Sequence, residues 1–410
     1  MTMPDSTQNP SPRPLDGVRV IEAGQMIAGP FTGHLLADFG AEVIKLEAPD
    51  RPDPIRTWGA MYKGVGLYWP ILARGKKAAT LNLRVARGQE LFKDLIRRSD
   101  VLVENFRPGT LEDWGLGWDV LREVNPRLVM VRVTGYGQTG PYRDKAGFGA
   151  IGEAVSGLRF LTGEPGRRPV RGGVALGDTL AGTFGVIGAM LALYARDTAG
   201  GTGRGQMVDV GMYEAIWTQL EDILPEFEKL GRVRQPVGPV LPGIAPSNVY
   251  PTRGGEWIVM GANQDQVFGR LCDLMGQPAW KTDQRFHTHV ARGEHQELLD
   301  NLISAWTATL EVETLLTQLD DAGIPANRIF TAADIATDPH YAAREMIISV
   351  LDNQIGEHVR MQGIVPKLES TPGRVDAGSP GFGEHNIAVW AELMGLSESE
   401  ISQLRSAGVI

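Results

Sequence analysis

Cysteine is nearly absent from this chain. One residue among 410, Cys272, excludes an intrachain disulfide and any cysteine-built metal cluster. Its surroundings, QVFGRLCDLMG, are apolar and helical in pattern, so it reads as core. Histidine is scarce too: of seven, only His287 and His289 stand close together, and with no third ligand nearby no metal site is expected. Positive charge is not in excess. Lys and Arg number 40 against 49 Asp and Glu, a net charge of −9, which argues against nucleic acid or an anionic membrane as the main partner. The longest apolar run, 179–195, is broken by glycine and threonine and is weak as a membrane span. Residues 1–14, MTMPDSTQNPSPRP, lack the apolar core of a signal peptide and read as a disordered tail, so a cytoplasmic protein is expected. Two familiar signatures are missing as well. There is no G-x-S-x-G elbow, and GQMIAG at 24–29 lacks the G-x-G-x-x-G order that lets backbone approach a pyrophosphate, which disfavours a nicotinamide site.

What is present is an ordinary enzyme-like composition, 42% hydrophobic and 22% charged with 51 glycines, in a chain long enough for two domains. GVRVIEAG (17–24), a helix over about 29–39 and AEVIKLE (41–47) make a βαβ unit, which implies a parallel sheet with ligands at the carboxyl ends of its strands. Further strands are expected at 79–83, 101–104, 128–134, GVAL (173–176) and QMVDVGM (206–212), with helices at about 87–98 and 117–124 and a long helix from about Glu214. This alternation predicts an α/β fold: a doubly wound, Rossmann-like large domain over 15–225. The Pro/Gly-rich stretch 235–246 marks a linker, taken as 226–250. A smaller α+β domain follows at 251–335, with a strand at 257–262 and helices at about 264–275, 295–308 and 312–322. Residues 336–410, with strand-like pieces at 347–351 and 358–365, form a return linker and a C-terminal segment packing on the large domain.

One stretch concentrates chemistry, RGGVALGDTLAGTFGVIGAMLAL (171–193). Asp178 stands at the mouth of an apolar helix whose Gly182, Gly185 and Gly188 leave a bare face for another backbone. Two readings stand side by side. An aspartate before an apolar helical run is a favoured N-cap, worth about 1 kcal/mol. The same geometry keeps a carboxylate ionised and reachable, a candidate covalent nucleophile. Basic residues cluster at predicted strand ends (Arg74 with Lys76 and Lys77, Arg84, Arg107, Arg143 with Lys145), either as solvated loop charges or as the walls of a groove for a polyanionic small molecule.

The chain resembles the class III coenzyme A transferases, the CaiB/BaiF-like group that includes formyl-CoA:oxalate and carnitine CoA-transferases. The matching stretches are PLDGVRVIEAG (14–24), AGPF (28–31), LLADFGAEVIKLE (35–47), KKAATLNLR (76–84), DVLVENFRPG (100–109), VTGYGQTGPY (133–142), GVALGDTLAG (173–182) and TGRGQMVDV (202–210), then RF (285–286), AGIPANRI (322–329), DPHY (338–341) and GEHN (383–386). The resemblance implies that Asp178 is the catalytic aspartate, forming an aspartyl-acyl anhydride and then an aspartyl-CoA thioester. It implies CoA contacts at Ile27, Ala28, Leu81, Asn82, Leu83, Arg84, Asn105, Phe106 and Arg107, with Lys145 near the phosphates. Coenzyme A is then a substrate, with no permanently bound cofactor, no metal, and no nucleic-acid or membrane partner. An interlocked homodimer is implied as well. Departures are visible: Ala48 and Asp113 stand where formyl-CoA transferase carries arginines, Arg51 or Arg56 being possible replacements. Its glycine-quartet loop is missing, and GPVLPG (238–243) is the nearest candidate lid. α-Methylacyl-CoA racemases share the implied fold but place a histidine where this chain has Phe148, which counts against that activity, while a non-catalytic CoA-binding paralogue is a further alternative. GYGQTGP and GVALGD look most like members using dicarboxylates such as succinate or glutarate, and Arg168 and Arg171 are candidate partners for a distal carboxylate.

Overall fold

The computed structural model describes residues 11–410; residues 1–10 of the expected tail lie outside the described residues. Of the remainder, Arg13 is held by Asp16 and by Asp376, at 2.7 Å. Two compact units are present. The first takes in the chain up to Leu158, Gly172–Glu221 and Ala342–Ile410; the second takes in Arg159–Arg171 and Asp222–Tyr341. The stretch read as a linker therefore falls inside the second unit, together with a short insertion ahead of Asp178.

In the first unit six strands, β1 (Arg19–Glu22), β2 (Glu42–Glu47), β3 (Lys77–Thr80), β4 (Val101–Glu104), β5 (Val129–Thr134) and β6 (Met207–Gly211), make one sheet in the order β3-β2-β1-β4-β5-β6. Every neighbouring pair is parallel. Such strands are covered on both faces, which is why VLVE and VMVRVT read as unbroken apolar runs rather than alternating ones. One face carries α2 (Ala86–Ile96) and α3 (Trp118–Val124), and Leu91, Phe92, Leu95 and Ile96 form the buried stripe of α2. The other carries α1 (Ala28–Asp38) and α5 (Leu176–Asp197), the latter reached after α4 (Gly149–Val155).

α5 is the one helix among the described residues long and apolar enough to cross a membrane. Its glycine face explains the composition otherwise. A Cβ on Gly182 would lie 2.9 Å from the Ala28 carbonyl and one on Gly185 2.8 Å from Thr32 Oγ1, so α5 meets the Ala28 backbone and the Thr32 side chain of α1 where no Cβ fits. Thr32 Oγ1 donates to the Gly182 carbonyl across that contact, at 3.1 Å.

Ala342–Ile410 belong to the first unit. His385 N–H donates to the Ala78 carbonyl and Asn82 N–H to that of Val409, both at 2.8 Å, and Trp390 is fully buried against the sheet. The pieces near 350 and 360 pair as an antiparallel hairpin, Ile347–Asp352 with Glu357–Gln362. The second unit holds a three-stranded antiparallel sheet (Ser247–Pro251, Trp257–Gly261, Ala326–Arg328) and helices that enclose Tyr250, Phe268, Leu299 and a buried Cys272.

Three expectations fail locally. GVAL is not a strand: residues 171–175 are irregular and α5 begins at Leu176. Two exposed glycines leave Val174 without a sheet neighbour. The helix expected from Glu214 spans only Met212–Trp217, and the chain turns through a left-handed Glu221 (φ 52°) before Ile223–Leu230. The strand placed at 79–83 ends at Thr80, leaving Leu81–Leu83 beyond the sheet.

Candidate active site

In an open parallel sheet, ligands bind outside the carboxyl ends of the strands where the winding direction reverses. Here the reversal lies between β1 and β4. The residues leaving both strands, with those leaving β2 and β3, line an open cleft. Its walls are largely apolar: Ala23, Leu46, Ala48, Leu81, Leu83, Phe106 and Trp114, with Gln25, Glu47, Asn82 and Arg84 as the polar members. Phe106 packs edge-on against Trp114 with ring centroids 5.4 Å apart. The Phe106 loop is set from below, since Glu104 accepts its N–H at 2.7 Å and takes Arg132 Nε at 2.6 Å. Burial raises the Glu104 pKa and Arg132 opposes the rise.

Beneath the cleft lies a chain of buried charges. Lys45, fully buried, donates to Glu22 at 3.1 Å and pairs with Asp53 at 2.8 Å; Lys76 donates to the other Glu22 oxygen at 2.6 Å. Glu47 receives Arg56 through two nitrogens, at 2.9 and 2.6 Å, and Arg56 lies 3.7 Å over the Trp69 ring. Burial pulls the Lys45 pKa down, but Asp53, Glu22 and Glu47 outweigh it and the net shift is upward. For Lys76 burial wins, lowering it to about 8 against the pull of Glu22.

Asp178 sits in the first turn of α5, half-buried, and is not its N-cap. The cap is Ala175, which has no side-chain acceptor. The capping role therefore drops out, while the stabilisation of a carboxylate by the positive end of a 22-residue helix remains. Glycine makes the neighbourhood. A Cβ on Gly149 would fall 2.7 Å from Asp178 Cγ, and one on Gly177 2.6 Å from the Gly149 carbonyl oxygen, so only bare backbone fits there. Phe148, next to this contact, is 61% exposed.

The expected CoA residues separate into groups. Leu81, Asn82, Leu83, Arg84 and Phe106 come together in the cleft. Asn105 braces it, accepting from Gln25 N–H at 2.7 Å and donating to its carbonyl at 2.9 Å. Ile27 and Ala28 turn their side chains into the core and leave only backbone to a ligand. Arg107 is exposed and Lys145 lies 3.5 Å over the Tyr142 ring; neither is among the residues that line the cleft.

The basic cluster Arg74–Lys76–Lys77 is no ligand groove. Arg74 is buried on Asp38, Lys76 on Glu22, and Lys77 pairs with Glu42 at 2.6 Å. Arg143 pairs with Asp144. Of the two replacements for the missing arginine, Arg56 is consumed by Glu47. Arg51 is exposed, beside the bridge it makes with Ala48. Asp113 closes a short helical turn after Gly109. Arg168, Arg171 and the 238–243 loop belong to the second unit, where Gly238 N–H donates to the Gly163 carbonyl at 2.9 Å. Gln25, Lys45, Asp53 and Trp114 enter the site unforeseen.

A family model described as CoA-transferase family III matches residues 15–386, most of the chain. The chain belongs to CoA-transferase family III. Its similarity to curated members extends over whole chains. It is 52% identical over 406 residues to a succinyl-CoA--D-citramalate CoA-transferase of Chloroflexus aurantiacus, covering 99% of this chain and all of that one. To a succinate--glutarate CoA-transferase of Agrobacterium fabrum it is 34% identical, covering 93% and 96%. Among solved structures, a CaiB/BaiF family protein from Brucella suis superposes with a TM-score of 0.81 at 33% identity, over 93% of this chain and all of that one. As a family III enzyme the chain transfers CoA between an acyl-CoA and a carboxylic acid, with CoA as substrate.

Proposed function

We propose that this transferase moves CoA from succinyl-CoA to a C4–C5 dicarboxylic acid, citramalate being the first to try, through covalent intermediates on Asp178. The 52% identity to a relative named for succinyl-CoA and D-citramalate carries the choice of acids. For Asp178 the support is its place in the first turn of α5, pressed against glycine backbone. Its carboxylate attacks the thioester carbonyl and expels CoA thiolate, leaving a mixed aspartyl-succinyl anhydride. The thiolate attacks the aspartyl carbonyl and releases succinate, leaving an aspartyl-CoA thioester. The acceptor carboxylate attacks that thioester and expels the thiolate. The thiolate then takes the acceptor's acyl group from the new anhydride and returns Asp178 as carboxylate. No proton is consumed, so an ionised aspartate suffices.

A row of exposed apolar side chains on α5, Ile187, Leu191 and Tyr194, offers a surface for a second copy, and we read the enzyme as a homodimer of the interlocked kind. We also place it in the cytoplasm.

Intact-protein mass spectrometry with succinyl-CoA, followed by hydroxylamine, tests the mechanism. Wild type should gain CoA mass and then a hydroxamate at residue 178, and Asp178→Ala neither, with turnover down on the order of 10⁴-fold. Full turnover by Asp178→Ala overturns the mechanism. Exchange of an α-proton without CoA transfer would make the enzyme a racemase. Sedimentation at micromolar concentration tests the dimer.

A further inference from the structure

The turn between β1 and α1 is held more tightly than a connection requires. Three consecutive residues are each gripped by a side chain from a different part of the chain. Lys45, from β2, donates to the Gly24 carbonyl at 2.9 Å. Asn105, following β4, takes both backbone groups of Gln25. Asp53 accepts Met26 N–H with both carboxylate oxygens, at 3.0 and 3.2 Å. Met26 is left-handed (φ 65°), a conformation an unbranched side chain adopts only when its surroundings impose it. Asp53 is itself 1% exposed and fixed by the Lys45 ammonium and by the N–H of Ile55.

This arrangement delivers one side chain to the cleft. Gln25 lines it, and its carboxamide makes no hydrogen bond among the described residues. The other neutral amide there, Asn82, is occupied: its Oδ1 takes Arg84 N–H and its Nδ2 donates to the Gly408 carbonyl. Glu47 is occupied by Arg56. A largely apolar cleft with a single uncommitted donor–acceptor pair suits a ligand part that carries the same pair. In CoA such pairs are the pantetheine amides and the adenine edge.

Building on the reading of this cleft as the CoA site, we propose that Gln25 binds CoA through its carboxamide and that the buried Asp53–Lys45 pair is the positioning device that presents it. Asp53 fixes Met26, Met26 fixes the direction in which Gln25 leaves the turn, and Asn105 locks the remaining freedom.

The test is a double-mutant cycle on the full-length enzyme, read as KM for succinyl-CoA beside kcat and the melting temperature. Gln25→Ala should raise KM about tenfold, the loss of one uncompensated buried hydrogen-bond partner, with kcat within about twofold. Asp53→Ala should raise KM similarly, and the double variant no further, because both act through one side chain. Met26→Gly in the Asp53→Ala background should recover most of the lost KM, since glycine takes a positive φ without a carboxylate to hold it. Should Asp53→Ala fail to fold, Asp53→Ala with Lys45→Met removes the carboxylate and its buried cation together. That pair should raise KM about tenfold, and adding Gln25→Ala should raise it no further; a KM unmoved by the pair overturns the positioning role. With succinyl-pantetheine as donor, a retained Gln25→Ala effect assigns the contact to a pantetheine amide and a vanished one to adenine. A KM unchanged by Gln25→Ala but raised by Arg84→Ala overturns the proposal and leaves the cleft as the CoA site. A KM unmoved by both overturns the reading of the cleft itself. Additive KM effects, or no recovery with Met26→Gly, overturn the positioning role of Asp53.

Discussion

Two regions of the first unit fix their local geometry by opposite means. At the cleft, side chains hold the backbone: Lys45, Asp53 and Asn105 converge on residues 24–26 from positions between 21 and 80 apart in sequence. Around Asp178 the absence of side chains does the same work, with Gly149 and Gly177 meeting backbone to backbone under the carboxylate. The first arrangement concentrates buried charge, so its failure is felt in stability. The second concentrates steric fit at one carboxylate, so on the proposed mechanism its failure is felt in rate. α1 joins them, since its N-terminus leaves the clamped turn and its Thr32 bonds to α5.

The largest expected effect breaks the charged side. Lys45→Met leaves Glu22 and Asp53 buried with one cation fewer between them, and removing one partner of a buried pair costs about 3–5 kcal/mol. Lys76→Met removes a lysine from the same network, but one that burial has lowered to about 8, so its charged form is only weakly held. Its cost should be nearer 1–2 kcal/mol. Urea unfolding of both variants at neutral pH checks the ranking, and equal losses would mean that the two lysines share the load.

Next comes the glycine side. Gly149→Ala places a methyl 2.7 Å from Asp178 Cγ and 2.9 Å from its backbone nitrogen. The carboxylate must move, and a displacement of about 1 Å at a reacting group costs about 100-fold in kcat. Overpacking at one site costs about 1–3 kcal/mol, so the variant should stay folded while turnover falls. If kcat holds and only stability drops, the contact does not set the nucleophile.

Much of this was legible beforehand, and what was not has a common cause. Parallel strands announce themselves as apolar runs, and the bare face of α5 is visible as Gly182, Gly185 and Gly188 because local spacing encodes it. Charge pairing is not local. Arg74, Lys76 and Lys77 look like a surface patch until Asp38, Glu22 and Glu42 are brought beside them by the sheet. One signal was available. Lys45 interrupts EVIKLE, a run expected to be buried on both faces, and a lysine there needs carboxylates on neighbouring strand ends. GVAL misled because β-forming residues without a neighbouring strand to accept their ladder remain irregular. Of the CoA residues read from resemblance, Leu81–Arg84 and Phe106 came together at the cleft. Ile27 and Ala28 did not, because at a helix start the side chains face the core.

The smallest expected effect concerns the helix the two regions share. His34, on α1, is 5% exposed, its Nδ1 has no partner among the described residues and its Nε2 stands 3.7 Å from Asp38. Burial first, then Arg74 and Lys76, hold its pKa well below 6.5. In the unfolded chain the same imidazole takes up a proton near that value, so below it the unfolded state binds more protons and stability falls with pH. At about pH 5.5 the loss from this one group comes to about 1.4 kcal/mol. Carboxylates and His385, whose pKa burial also lowers, add slopes of their own, but these are common to wild type and variant. The difference between wild type and His34→Gln therefore isolates the imidazole. Urea unfolding at about pH 7.5 and pH 5.5 should show wild type losing about 1.4 kcal/mol more than His34→Gln. Parallel losses would mean that Asp38 accepts a charged His34 in the folded state, and that the contact between α1 and α5 tolerates a cation beside Arg74.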